Sequence, residues 1–95
     1  MVSEGRGWTF LTNHARVLLA IAHDPTAQLR QIAAFCQITE RTVQAIVADL
    51  EQAGYLRRHR VGRRNQYTLD LDRPLRHPAG AGLPVRALLD LFPGG

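Results

Sequence analysis

The chain has 95 residues, 45% of them hydrophobic, which is enough for one small domain and too few for two. All 12 basic residues are arginine, against 8 acidic ones, and the net charge of +4 favours either a polyanionic partner or plain solubility. The single cysteine, Cys36, excludes an internal disulfide framework, and no apolar run is long enough for an export signal or a membrane span. We therefore expect a cytoplasmic protein.

The N-terminal residues predict an irregular arm over 1–11, followed by a first helix. Two glycines interrupt the arm, although Trp8 could anchor it on the domain. Thr12 is a suitable N-cap, and the helical pattern stops before Asp24 and Pro25. The apolar stripe of this helix follows the spacing i, i+3, i+4 and i+7 and comprises Ala15, Leu18, Leu19 and Ala22.

Two further helices are predicted in the middle of the chain. The first is short, covers about 30–36 after a link over 26–29, and places Ile32, Ala33 and Cys36 on one face. The second covers about 40–53, with Thr39 as its N-cap and Gly54 as the residue that stops it. Its apolar stripe comprises Val43, Ile46, Val47 and Leu50.

A β-hairpin and a C-terminal segment complete the predicted elements. The strands cover 55–61 and 64–71 around a tight turn at Gly62 and Arg63. The hairpin has one inward face, formed by Leu56, Tyr67 and Leu69. Residues 73–95 then form an irregular crossing segment rich in proline and glycine, including Pro74, Pro78, Gly80 and Gly82, and a last short helix. That helix starts near Pro84, carries Val85, Leu88, Leu89 and Phe92, and ends at 93–95.

The order of these elements indicates an α+β fold, the winged helix-turn-helix, over residues 12–72. It would consist of a three-helix core, a two-stranded wing hairpin and a short C-terminal helix. Residues 29–46 look like the helix-turn-helix signature, which here consists of Ile32, the small Ala33, the apolar turn residue Ile38, Val43 and Ile46. The joint LEQAGYL over 50–56 and the wing GRRNQYTL over 62–69 resemble those of small bacterial regulators of the MarR and ArsR families.

This resemblance covers residues 12–71 and implies a transcriptional regulator that binds double-stranded DNA. Because 95 residues leave little room for a separate effector domain, we expect a repressor that acts by occupying a promoter. The chain departs from the signature at Gln37, where glycine is common because the turn often takes a positive φ. Either the turn differs slightly here, or it tolerates strain on the order of 1 kcal/mol.

The predicted DNA-binding residues fall in two groups, and the first is the exposed start of the helix over 40–53. Its members face away from the apolar stripe and would enter the major groove. Arg41 could bind guanine and Gln44 adenine, whereas Thr39 and Thr42 suit phosphate or thymine. An ordinary solvated helix face is the alternative interpretation. The group comprises Thr39, Glu40, Arg41, Thr42, Gln44 and Ala45.

The second group lies on the wing, where five arginines occur within residues 57–64. Charges at an exposed strand edge also prevent aggregation, but one or two suffice for that purpose. The surplus favours contact with the phosphate backbone or an adjacent minor groove. The predicted contacts within the basic wing over 57–66 are Arg58, Arg60, Arg63, Arg64 and Asn65, of which Asn65 also suits the turn.

Other functions receive less support from the sequence. The four histidines and Cys36 show no paired metal-ligand spacing, and the clustered cysteines that identify metal-sensing ArsR proteins are missing, so no metal or cofactor is expected. No nucleophile with a base and no phosphate-binding loop is visible, which argues against an enzyme. The rival hypothesis is a winged-helix protein-interaction or assembly module without sequence-specific DNA binding.

A homodimer is expected because one reading helix discriminates poorly against a genome of competing sites. The first and last helices would form the interface, since Leu88, Leu89, Leu91 and Phe92 are more apolar than an exposed terminal helix needs. Docking of the last helix on its own chain is the alternative.

Overall fold

The computed structural model describes residues 9–76, 79 and 82–92. Trp8 and the rest of the arm before residue 9, Pro78, Gly80 and residues 93–95 lie outside the described residues, and so do the predictions made for them. The elements run in the order α1 (Asn13–His23), α2 (Leu29–Cys36), α3 (Glu40–Gln52), β1 (Leu56–Val61), β2 (Arg64–Leu69) and α4 (Val85–Asp90). The predicted α+β winged helix-turn-helix, with a three-helix core and a two-stranded antiparallel hairpin, is confirmed.

Helix α1 begins as predicted but buries more of its surface. The Thr12 hydroxyl accepts a hydrogen bond from the Ala15 backbone N–H at 3.1 Å, which caps the helix. Val17 and Ile21 are fully buried, whereas Ala15 and the last residue of the predicted stripe, Ala22, are only half-buried. The predicted stripe therefore does not coincide with the centre of the buried face of α1. The helix packs against both α2 and α3, so its buried face is wider than one row of side chains.

Helix α2 starts one residue earlier than predicted, at Leu29, because the Gln31 side-chain oxygen accepts a hydrogen bond from the Gln28 backbone N–H at 2.8 Å. Cys36 is fully buried on its inner face, and this burial raises the pKa of the thiol, an effect that the Arg16 guanidinium partly offsets. Gln37 then adopts φ 59° and ψ 45°, so the chain tolerates the left-handed turn without glycine.

Side-chain hydrogen bonds stabilise both ends of helix α3. The Thr39 hydroxyl accepts a hydrogen bond from the Thr42 backbone N–H at 3.1 Å, and the four apolar residues of the predicted stripe are all buried. The helix ends at Gln52, one residue before the predicted end, and Gly54 follows with φ +88°. The Arg73 side chain lies over Gly54 and donates a hydrogen bond to the Ala53 carbonyl at 3.1 Å, a favourable place for a cation.

The hairpin strands are shorter than predicted at their outer ends. The Tyr55 N–H bonds to the Leu50 carbonyl at the end of α3, which keeps Tyr55 out of β1. The chain turns after β2, where the Asp70 carboxylate accepts from the Asp72 N–H at 3.2 Å. Leu56 and Tyr67 are buried and Leu69 is half-buried, so the predicted inward face is confirmed.

The C-terminal segment folds back onto the domain before α4 begins. The Tyr55 hydroxyl donates to the Pro74 carbonyl at 2.6 Å, and the Val85 N–H donates to the Arg73 carbonyl at 2.8 Å. Val85 is 1% exposed and belongs to the core. The start of α4 therefore docks on its own chain, whereas Leu91, beyond its end, is 72% exposed. The helix ends at Asp90, so the prediction that it carries Phe92 and continues to 93–95 is wrong.

Candidate nucleic-acid interface

The start of α3 presents a polar surface on the side opposite its buried stripe. Glu40, Arg41, Gln44 and Ala45 are exposed, as predicted for a face that is free to meet a partner. Thr42 is half-buried, and its hydroxyl lies 2.8 Å from that of Thr39. The two threonines are therefore partly occupied with each other and with the helix cap, whereas Glu40, Arg41 and Gln44 form no ion pair among the described residues.

The strand register decides which face of the wing carries each charge. Arg60 pairs with Asn65, and Leu56 pairs with Leu69. Directly paired residues share a face and alternate residues point the same way, so Arg60 and Asn65 continue the inner face beyond the core. Arg64 pairs with Val61 on the other face. The sequence alone groups Arg60 with Arg64, but their strand positions lie on opposite faces of the hairpin.

The tip of the wing is a two-residue turn formed by Gly62 and Arg63. Gly62 has φ +62°, the conformation required at the first central position of a tight hairpin turn. A Cβ atom at Gly62 would meet nothing within 4 Å, so glycine is needed for its backbone and not for space. Arg63 is consequently held at the exposed tip. Within the described part of the chain, neither Arg60, Arg63 nor Arg64 forms an ion pair.

Arg58 differs from the other wing arginines because it has an acidic partner. Its guanidinium lies 3.7 Å from the Glu51 carboxylate, which also accepts a hydrogen bond from the Arg58 backbone N–H at 3.4 Å. On the inner face Arg58 is paired with Tyr67. Burial raises the pKa of the Tyr67 hydroxyl, and the neighbouring guanidinium offsets part of that rise. Arg58 thus joins the base of the wing to the last turns of α3.

A groove of about 440 Å³ lies where the start of α2, the start of α3 and the wing tip meet. We call it the α2–wing groove. It brings four of the predicted site residues together, Glu40, Arg63, Arg64 and Asn65, whereas Arg41, Gln44, Ala45, Arg58 and Arg60 do not line it. Its other lining residues are Arg30, Tyr67 and residues 26–29.

Arg30 is a candidate that the sequence analysis missed. It lies in the first turn of α2, is exposed, and borders the α2–wing groove. In helix-turn-helix proteins the helix before the recognition helix crosses the DNA backbone. An arginine in the first turn of that helix was therefore a signal that could have been used.

The three histidines within the described residues, His14, His23 and His59, do not converge on a metal site. His14 Nε2 lies 2.8 Å from Asp49 Oδ2, and His59 Nε2 lies 2.9 Å from Thr68 Oγ1. Over 9–76, 79 and 82–92, no three His, Cys, Asp or Glu side chains are grouped as metal ligands would be. In the same ranges, no helix combines the length and apolar character that crossing a bilayer requires.

The amino-acid sequence matches a known protein family. The sequence profile described as the MarR family matches residues 8–64, a stretch that includes all of α1, α2, α3 and β1 and the wing turn. A search of curated proteins found no significant match.

Proposed function

Because the chain belongs to the MarR family of winged-helix transcription regulators, we propose that it is a repressor that binds a specific double-stranded DNA operator as a homodimer. The observation that carries the proposal is the α2–wing groove, which Glu40 from the first turn of α3 lines together with Arg63 and Arg64 from the wing tip. The start of α3 and two wing-tip arginines, which form no ion pair among the described residues, therefore border the same groove. A duplex could touch both at once.

In the proposed complex, α3 enters the major groove with its N-terminal turns. Arg41 would donate to guanine O6 and N7, and Gln44 would pair with adenine N6 and N7. Ala45 is small enough to admit a thymine methyl group beside them. Thr39 and Thr42, whose hydroxyls partly satisfy each other at 2.8 Å, would make the more limited phosphate or thymine contacts. Choice of sequence then belongs to the exposed face of α3.

The wing would supply affinity. Arg60, Arg63, Arg64 and Asn65 lie at or near its tip, and the three arginines form no ion pair in the described residues. Phosphate contacts fix the position of a protein on the duplex but carry no sequence information. Arg58 would contribute mainly by positioning the wing, because its guanidinium lies 3.7 Å from the Glu51 carboxylate.

A homodimer would double both the reading surface and the phosphate contacts. Leu91 is 72% exposed and Phe92 41% exposed, which leaves apolar surface at the end of α4 after Val85 has docked in the core. We propose that this surface, with α1, meets a second copy of the chain. Two α3 helices would then read half-sites about one helical turn apart in a pseudo-palindromic operator, and the protein would repress by occupying the promoter in the cytoplasm.

The test is a selection from duplex DNA of randomised sequence with the purified chain. We expect an enriched, pseudo-palindromic motif, and we expect Arg41→Ala and Gln44→Ala to lose preference at individual positions of it. Binding that disappears with salt and enriches no motif would instead support the protein-interaction or assembly module.

A further inference from the structure

Strand β1 forms an open edge of the hairpin. The pair that flanks the two-residue turn, Val61 and Arg64, exchanges backbone hydrogen bonds, and bonded and non-bonded pairs then alternate along the strands. The backbone N–H and C=O groups of Arg58 and Arg60 therefore point away from β2. In agreement with this alternation, the Arg58 N–H donates to the Glu51 carboxylate at 3.4 Å. For the outward groups of Arg60, no partner occurs in the described part of the chain.

The opposite edge of the hairpin is covered at its centre. The Tyr67 N–H points away from β1 and donates to the Pro25 carbonyl, in the link between α1 and α2, at 3.0 Å. Residues 57–61 of β1 are all exposed. An exposed strand edge is a template on which another extended chain can pair. We call the outward backbone groups of Arg58 and Arg60 the β1 edge, and this edge is open to a further strand.

Charge decides which chain fits the β1 edge. Three arginines and a histidine follow one another over 57–60, and Glu51 is the acidic residue that pairs with them among the described residues. A second copy of β1 would bring arginines opposite arginines, which is unfavourable. A DNA phosphate accepts hydrogen bonds but donates none, so it would leave the outward C=O groups unpaired. A peptide strand with acidic side chains donates and accepts along the edge and also neutralises the arginines.

We propose that the β1 edge binds an extended acidic segment of a partner protein by strand addition. The backbone of that segment would pair with the outward groups of Arg58 and Arg60, and its carboxylates would lie beside the guanidinium groups. Glu51 already makes both kinds of contact, because its carboxylate bonds to the Arg58 N–H at 3.4 Å and lies 3.7 Å from the Arg58 guanidinium. The partner would displace it. This inference goes beyond the proposed function and does not depend on DNA binding.

The experiment measures binding of the full-length chain to a fluorescent peptide of alternating glutamate and threonine by anisotropy. We expect saturable binding at low salt, and none for the same peptide with lysine in place of glutamate. Methylation of the peptide's backbone nitrogens keeps its charge and removes its donors, so we expect roughly tenfold weaker binding by the methylated peptide.

Two pairs of variants separate the backbone of the edge from its charge. Arg60→Pro and Arg60→Ala remove the same charge, but only proline removes the outward N–H, so Arg60→Pro should bind the peptide several-fold more weakly than Arg60→Ala. Glu51→Ala uncovers the Arg58 N–H and should tighten binding several-fold. Asp49→Ala is its matched control, because Asp49 also lies on α3 but contacts His14, at 2.8 Å, and should leave peptide binding unchanged. Urea denaturation of each variant checks that the fold is retained.

Amide hydrogen exchange followed by NMR locates the peptide on the unmodified chain. The Arg60 N–H should exchange rapidly in the free chain and become protected when the peptide binds, whereas the His59 N–H, which points toward β2, should change little. Equal binding of the methylated peptide, or no added protection at Arg60, would mean that charge alone attracts the peptide and would overturn strand addition. An acidic peptide that does not bind at low salt would overturn the site altogether. None of these results bears on the regulator, which the selection from randomised DNA tests separately.

Discussion

The guanidinium of Arg58 lies 3.7 Å from the carboxylate of Glu51, so the base of the wing is tied to α3. Both side chains are partly exposed, and breaking such a pair costs at most about 1 kcal/mol of stability. We predict that Arg58→Ala and Glu51→Gln each weaken DNA binding through displacement of the wing. The double variant should lose no more than the worse single variant, because the two residues act as one unit.

Fluorescence anisotropy at several salt concentrations checks this prediction. If Arg58 bound a phosphate directly, Arg58→Ala would lower the salt slope by about 0.9 and Glu51→Gln would not. Additive losses in the double variant would likewise contradict the positioning role.

Gln37 carries a left-handed backbone conformation, with φ 59°, that favours glycine. We predict that Gln37→Gly stabilises the domain by about 0.5–1 kcal/mol, the relief of strain exceeding the extra entropy of the unfolded chain. Gln37→Ala keeps the Cβ atom and should give no such gain. Urea denaturation compares the two variants, and a glycine variant no more stable than the alanine variant would show that this turn is unstrained.

The helices could be predicted from the sequence because their signals are local. Thr12 and Thr39 each cap a helix through a hydrogen bond to a backbone N–H three residues later, and both caps are confirmed. The burial of Val17 and Ile21 could not be predicted in the same way. It depends on the partners that surround α1, and a single-stripe rule contains no information about them.

The parts of the site that depend on contacts between residues far apart in the chain could not be predicted from the sequence either. The faces of Arg60 and Arg64 follow from the strand register, which the number of arginines does not reveal. Arg30 borders the wing tip only because the chain folds back between α2 and β2. The residue types show that the wing is basic. Which face or groove each of its arginines occupies follows only from the strand register and from the packing of α2.

Cys36 provides a test of the core. Its side chain is fully buried and burial raises the pKa of its thiol, so it is protonated at neutral pH, whereas alkylating reagents react with the thiolate. We predict that iodoacetamide modifies the native chain far more slowly than the urea-unfolded chain at pH 7. Mass spectrometry follows the modification. Equal rates in the two states would mean that Cys36 is accessible and could act as a redox site.

The apolar side chains at the two ends of α4 have different roles. Val85 is in the core, and Val85→Ala should cost about 1–3 kcal/mol of folding stability. Leu91 is 72% exposed, so Leu91→Asp should change folding stability by less than about 0.5 kcal/mol. We predict that Leu91→Asp weakens the dimer instead, as seen by sedimentation velocity over a concentration series. A variant that sediments like the unmodified chain at every concentration would place the dimer interface elsewhere.

The central claim, that α3 selects the sequence while the wing supplies affinity, is tested most directly by the ratio of affinities for operator and scrambled duplexes. For the double variant Arg63→Ala/Arg64→Ala, we predict weaker binding to both duplexes with an almost unchanged ratio. For Arg41→Ala, we predict a ratio reduced by the equivalent of about 1–3 kcal/mol, the value of one bidentate base contact. The opposite pattern, in which the wing variant loses the ratio and the helix variant keeps it, would contradict the account.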